Sequence, residues 1–376
     1  MRRHFTKEVG EDLAEIGDMI AQTVDGCWRE FGELGQDPVR TRQGIVAACS
    51  VMLATTLALM LQLESPWWAA ISGFMSLMST GAGSLRRGML RLTGTAAGAL
   101  LGFVMARWLL YDQFALCLFL AATTMLGVVA MQVSPHGLAW LFLTITSCLV
   151  LLMSLNNPEQ AFQVACNRML EVAVGVASAI IVANLLQDWH ADPPPTMPGW
   201  RHLLGAQWPV VLHGARAAIA VVAVMQIWIL FDLPQVTEMA VTIAVVMSAP
   251  IVTVGGLGTR HGVYMRSIHR FMGCLVGGVM ALGCLALDVT SFPWWLAMIG
   301  AAVWIGMHVQ VGTHGVGYVG TQAAFVFIVT MIQGAAPPDS IMPGIDRFVG
   351  ITGALAILLV VSLLLWPDDV EQAEGR

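Results

Sequence analysis

Arg87-Gly88-Met89-Leu90-Arg91-Leu92-Thr93-Gly94-Thr95-Ala96-Ala97-Gly98 decides the fold once it is set beside Arg266-Ser267-Ile268-His269-Arg270-Phe271-Met272-Gly273-Cys274-Leu275-Val276-Gly277. Both arginines and both glycines recur at one shift, 266 − 87 = 179 residues. The same shift carries Pro158 onto Pro337 and Arg168 onto Arg347. Self-similarity at a period near half the chain length points to two copies of one folding unit.

Outward from that stretch the chain is apolar almost without interruption. It is 57% hydrophobic and 11% charged over 376 residues, with a mean hydropathy of +0.74. Soluble domains carry roughly 25% charged residues. The apolar runs last about 18–22 residues with no period-2 alternation, which selects membrane-spanning helices over a barrel. The expected fold is therefore an all-α polytopic membrane protein with about twelve spans in two parallel six-helix repeats. The first six fall near 43–63, 67–84, 89–110, 114–131, 137–155 and 165–187. The second six fall near 214–231, 237–254, 268–287, 293–311, 317–333 and 346–366. The expected domains are an N-terminal segment (1–42), the first repeat (43–187), a Pro-rich linker (188–213), the second repeat (214–366) and an acidic tail (367–376). An even number of spans per repeat relates the copies by an axis along the membrane normal. No signal peptide is expected, since the first 40 residues are charged and lack an apolar core.

Cation placement sets the orientation. With a cytoplasmic N-terminus, all of the 18 Lys and Arg except Arg107, Arg168 and Arg347 fall on the cytoplasmic side. Both termini are then cytoplasmic, and Trp67-Trp68 and Trp294-Trp295 mark the opposite interface. Within 1–42, Phe5, Val9, Leu13, Ile16, Ile20, Val24, Trp28 and Phe31 recur every three or four residues, giving an amphipathic helix expected to lie on the cytoplasmic face of the bundle. A partner or a second protomer is the alternative occupant of its apolar stripe. The seven cysteines contain no C-x-x-C pair, so neither disulfides nor metal ligation is expected.

Positions i, i+4, i+7 and i+11 share one helical stripe. Arg87 and Arg91 therefore stand one turn apart at the cytoplasmic mouth of the third span, and Arg266 and Arg270 at that of the ninth. Gly94, Gly98 and Gly102, like Gly273 and Gly277, continue the stripes as small-x3-small seams for a closely packed helix. Arg168 lies about ten residues, roughly 15 Å, beyond the helix start at Pro158. A cation at that depth marks a functional site or an ion pair, and Glu171 shares its face. Arg347 has Gly350 where Arg168 has Glu171, and Asp346 stands beside it.

Ser65-Pro66-Trp67-Trp68-Ala69-Ala70-Ile71, the run Arg91-Leu92-Thr93-Gly94-Thr95-Ala96-Ala97-Gly98-Ala99, and Asn167-Arg168-Met169-Leu170-Glu171-Val172-Ala173-Val174-Gly175 resemble the fusaric-acid-resistance family of aromatic acid exporters. The resemblance covers most of 40–187 and, more faintly, 214–366. It departs at Cys274, which replaces the threonine of the Gly-Thr pair, and the chain lacks the large cytoplasmic domains of longer members. It implies export of aromatic carboxylates and other weak acids across a bacterial inner membrane, often with a periplasmic membrane-fusion adaptor. A homo-oligomer is also compatible.

Arginine holds carboxylates bidentately and keeps its proton. Arg91 and Arg270 are accordingly expected to attract the anion at the cytoplasmic mouth, with Arg87 and Arg266 beside them. Arg168 and Arg347 are expected to hold it deeper. Glu171, with Asp346 in the other half, is the candidate for proton coupling. Gly255-Gly256-Leu257-Gly258 follows no strand and lacks Gly-Lys-[Ser/Thr], so no nucleotide is expected, nor any cofactor, metal or nucleic acid. Competing readings are a major-facilitator carrier and an organic-anion channel. The first calls for an acid within Gly83-Ser84-Leu85-Arg86-Arg87, where none stands. A membrane enzyme needs convergent His, Asp or Ser groups that the spacing does not supply.

Overall fold

A computed structural model describes residues 2–190, 197, 199–203, 208–231, 235–248, 260–334, 338 and 340–365. The described residues form thirteen α-helices joined by short connections. α1 (Arg2–Gly32) precedes a first set of six: α2 (Pro38–Met60), α3 (Pro66–Met75), α4 (Gly81–Leu109), α5 (Gln113–Val133), α6 (Gly137–Met153) and α7 (Ala161–Leu186). The second set is α8 (Trp208–Phe231), α9 (Val236–Met247), α10 (Arg260–Leu285), α11 (Phe292–Gln310), α12 (Gly317–Met331) and α13 (Met342–Leu365). The tail 367–376, Pro337, the glycine run 255–258 and parts of the 188–213 linker lie outside the described residues.

The starts of several helices follow from local chemistry. Pro38 and Pro66 occupy first-turn positions, where a missing N–H costs nothing. Asp37 accepts from Val39 N at 2.8 Å, Asp112 from Phe114 N and Ala115 N, and Thr80 from Gly83 N. Helix packing is matched between the sets. α4 packs on α6 and α7 as α10 packs on α12 and α13, and α3 lies against α2 and α7 as α9 lies against α8 and α13. Across the sets, α2 meets α11 and α5 meets α8, while α6 meets α9 and α12 meets α3. Phe74 of α3 and Phe325 of α12 meet edge-on at 5.9 Å in one of the shared apolar cores.

Among the described residues, eight helices are long and apolar enough to cross a membrane. The other four of the twelve are shorter: α3 has 10 residues, α9 has 12, α12 has 15 and α6 has 17. At 1.5 Å per residue α3 covers only about 15 Å, half a hydrocarbon core. The expected span 67–84 thus resolves into α3, a break at residues 76–80, and the start of α4. The long helices supply the shielding that lets a short helix end at membrane depth, since irregular backbone is tolerated there only where protein covers it.

The small-residue seams lie where α4 meets α6 and α10 meets α12. A Cβ added at Gly94 would stand 2.3 Å from Ala139 O, one at Gly98 2.5 Å from Leu143 O, and one at Gly102 2.8 Å from the Cβ of Val150. At Gly277 it would meet Ala323 O at 2.2 Å, and at Gly273 Val319 O at 2.6 Å. Backbone thus lies on backbone along both seams.

α1 packs on α10 and α11, but not by its apolar stripe. The buried face is Met19, Thr23, Gly26 and Glu30, whereas Ile20, Val24, Trp28 and Phe31 are exposed. Phe5, Val9 and Leu13 fall outside the described side chains. The rotation is set by Glu30, which is fully buried. It pairs with Arg40 at the start of α2 and accepts from His314 N at 2.8 Å in the α11–α12 turn. Glu33 adds contacts of 2.9 Å to Arg40 and to His314 Nε2. A buried carboxylate with two such partners outweighs the pull of a periodic apolar stripe, because leaving it unpaired costs several kcal/mol.

Candidate functional site

The four repeated arginines gather around the two shortest helices. Trp68 and Ser72 are the third and seventh residues of α3, and Glu238 and Thr242 are the third and seventh of α9. Arg91, ten residues into α4, donates from Nη2 to Ser72 Oγ at 3.0 Å and from Nη1 to Met75 Sδ at 3.1 Å. Its guanidinium lies 4.2 Å from the centroid of the Phe142 ring of α6. Arg168 of α7 reaches the opposite end of α3, 5.1 Å from the Trp68 ring. It pairs with Glu171 at 2.9 Å, and Glu171 in turn accepts from Ser65 N, just before α3. One helix is thus held at both ends by arginines from its neighbours.

α9 is held the same way with different partners. Arg270, ten residues into α10, donates to Tyr318 Oη and Gln322 Oε1 from Nη1 and to Thr242 Oγ1 from Nη2, each at 3.1 Å. Arg347 of α13 pairs with Glu238 of α9 at 2.7 Å. Asp346 is not the partner the sequence suggested. Adjacent residues on a helix point about 100° apart, so Asp346 faces away while Arg347 turns inward. Nor does the second half lack an acid. It carries the acid on α9, and a Cβ at Gly350 would meet that of Glu238 at 3.0 Å, so the glycine makes room for it. Glu238 was missed because its signal is a contact between two helices far apart in sequence.

Charge accounting divides the four arginines into two pairs. Along their own helices Arg91 and Arg270 lie about 15 Å from the start, whereas Arg168 is about 10 Å into α7 and Arg347 about 8 Å into α13. Arg168 and Arg347, expected to hold the anion, are the ion-paired ones. Arg91 and Arg270 are both 2% exposed, and among the described residues neither forms an ion pair. Their Nε atoms, like those of Arg168 and Arg347, have no hydrogen-bond partner in the described structure. A buried cation neutralised only by hydroxyl, amide, thioether and ring groups carries a strong local bias toward a carboxylate.

A cavity of about 520 Å³ opens at the end of the bundle where α2 and α4 begin and α3, α7 and α11 finish. Arg87 and Arg40 line it with Asp37, Gln43, Met78 and Gln310. Arg87 donates to Met78 Sδ at 3.0 Å, one helical turn before Arg91 donates to Met75 Sδ. One face of α3 therefore passes from Arg87 through Arg91 to Arg168. In the second half Arg266 lies 4.1 Å from the ring of Tyr318, whose hydroxyl accepts from Arg270. His308 is fully buried in α11, and its backbone carbonyl accepts from Arg40 at 3.3 Å.

These features define a polytopic helical membrane protein whose interior holds buried cations. Residues 44–194 match the model of the Fusaric acid resistance protein family, and the likeness points to membrane transport. Neither the curated proteins nor the solved structures gave a match.

Proposed function

We propose that the chain exports aromatic carboxylic and other weak organic acids across a bacterial inner membrane, driven by the proton gradient. The observation that carries this is the pair of fully buried arginines, Arg91 and Arg270, that form no ion pair among the described residues. The family match supports efflux. In this proposal the twelve helices α2–α13 form two parallel six-helix repeats, supported by the matched packing partners and by the 179-residue shift. The end bearing Arg40 and Arg87 faces the cytoplasm, as the distribution of cations favours. A periplasmic adaptor and a second copy of the chain are compatible partners.

An anion enters the 520 Å³ vestibule, drawn by Arg87, and displaces the Met75 thioether from Arg91. It then passes along α3 toward Trp68 and Arg168. Protonation of Glu171 frees Arg168 to take the carboxylate, and loss of that proton restores the ion pair and releases the anion. Proteoliposomes under an imposed pH gradient test the proposal, with a panel of aromatic and aliphatic acids. The expected result is saturable, gradient-dependent flux above protein-free vesicles, favouring aromatic acids. Flux that ignores the pH gradient would replace the carrier by a channel, and none above the blank would overturn the proposal.

A further inference from the structure

Position for position, the two buried arginines keep different company. Phe142 and Gln322 are each the sixth residue of their helices, α6 and α12, and each faces its arginine. Ser72 corresponds to Thr242 in the same way. Arg270 therefore has three oxygen acceptors at 3.1 Å, from Thr242, Gln322 and Tyr318. Arg91 has one oxygen acceptor, Ser72 Oγ, and that hydroxyl already donates to Trp68 O. Its other contacts are a thioether and a ring face, both weak acceptors beside a carboxylate.

The neighbours differ in stiffness too. Met75, which Arg91 contacts, is half-buried and has a flexible, unbranched side chain. Over Arg270 stands the Tyr318 ring, itself fixed beneath Arg266, with Gln322 and Thr242 fully buried behind it. We propose that only one of the two matched buried arginines is a loadable anion site in the resting protein: Arg91 receives the transported carboxylate, and Arg270 is its closed twin. This rests on the transport function proposed above. Duplication then supplied the scaffold twice and kept the cargo site once, with Phe142 and Gln322 as the residues that set the difference.

Saturation binding of radiolabelled benzoate to the purified full chain tests this. The wild-type protein is expected to bind one benzoate per chain. Phe142→Gln, which offers Arg91 the amide oxygen that Arg270 has, is expected to weaken binding at least tenfold. Gln322→Phe is expected to raise the stoichiometry toward two. Two equivalent sites in the wild-type chain would overturn the inequality while leaving the transport proposal standing, and that measurement needs no variant to fold. Unchanged affinity in Phe142→Gln would also overturn it. No saturable benzoate binding in any form would overturn this inference and the aromatic-acid proposal together.

Discussion

Glu238→Ala should be rescued by placing the acid at residue 350. Arg347 Nη1 meets Glu238 Oε1 at 2.7 Å, and the two side chains are 8% and 18% exposed. Removing the acid leaves a buried guanidinium without its counter-charge, which costs about 3–5 kcal/mol for a fully buried pair. Glu238 retains some contact with solvent, so the lower end applies, about 3 kcal/mol or roughly a hundredfold in the unfolding equilibrium. Gly350 lies three residues after Arg347, the spacing at which Glu171 pairs with Arg168. A Cβ added there would stand 3.0 Å from the Glu238 Cβ and 3.1 Å from the Gln235 Cβ, so α9 must give by a few tenths of an ångström. Glu238→Ala keeps that Cβ but removes the competing carboxylate, so Glu238→Ala/Gly350→Glu should recover part of the loss. Equilibrium unfolding in mixed micelles, followed by tryptophan fluorescence, measures all three proteins. A double variant no more stable than Glu238→Ala would refute the transposed ion pair, and so would a single variant as stable as wild type.

Three further substitutions read other parts of the fold. Gly277→Ala should destabilise the protein by about 1–3 kcal/mol, because the new methyl would stand 2.2 Å from Ala323 O. Its neighbour Gly278 has nothing within 4 Å, and Gly278→Ala should be neutral or stabilising by up to about 1 kcal/mol, measured by the same unfolding assay. Glu30→Gln should loosen α1, since it weakens a fully buried link to Arg40 and His314. Limited proteolysis in the 32–37 connection should quicken at least tenfold, and an unchanged rate would show that the Glu30 contacts do not hold α1.

Much of the helical plan was legible because lipid leaves a backbone few options and apolar runs record that directly. Pro158 and the twin Arg-x3-Arg-x2-Gly-x3-Gly stretches marked a helix start and helix faces without any knowledge of packing. The brevity of α3 was not legible. Residues 76–80 are apolar enough to extend a hydropathy run, and only the surrounding long helices allow the backbone to break there. The rotation of α1 escaped for a related reason: Glu30 outweighs an apolar stripe only through Arg40 and His314, which adjoin it in space. At the site, periodicity selected the four arginines but not their roles. Arg168 carried its acid on its own helix and read as a substrate ligand, while Arg91 stood nearer the basic loops and read as a mouth. Which of them is neutralised depends on Glu238, Phe142 and Gln322, and no local pattern ties those residues to an arginine.

The most direct test concerns the buried cation that lacks an anion. Flux of a transported aromatic acid should be compared between wild type and Arg91→Gln, with membrane insertion and folding verified for both. The expected result is a loss of at least a hundredfold in flux at subsaturating substrate, since the charge-assisted contact that first receives the carboxylate is gone. Flux close to wild type from a correctly folded Arg91→Gln protein would contradict the assignment of Arg91 as the anion site.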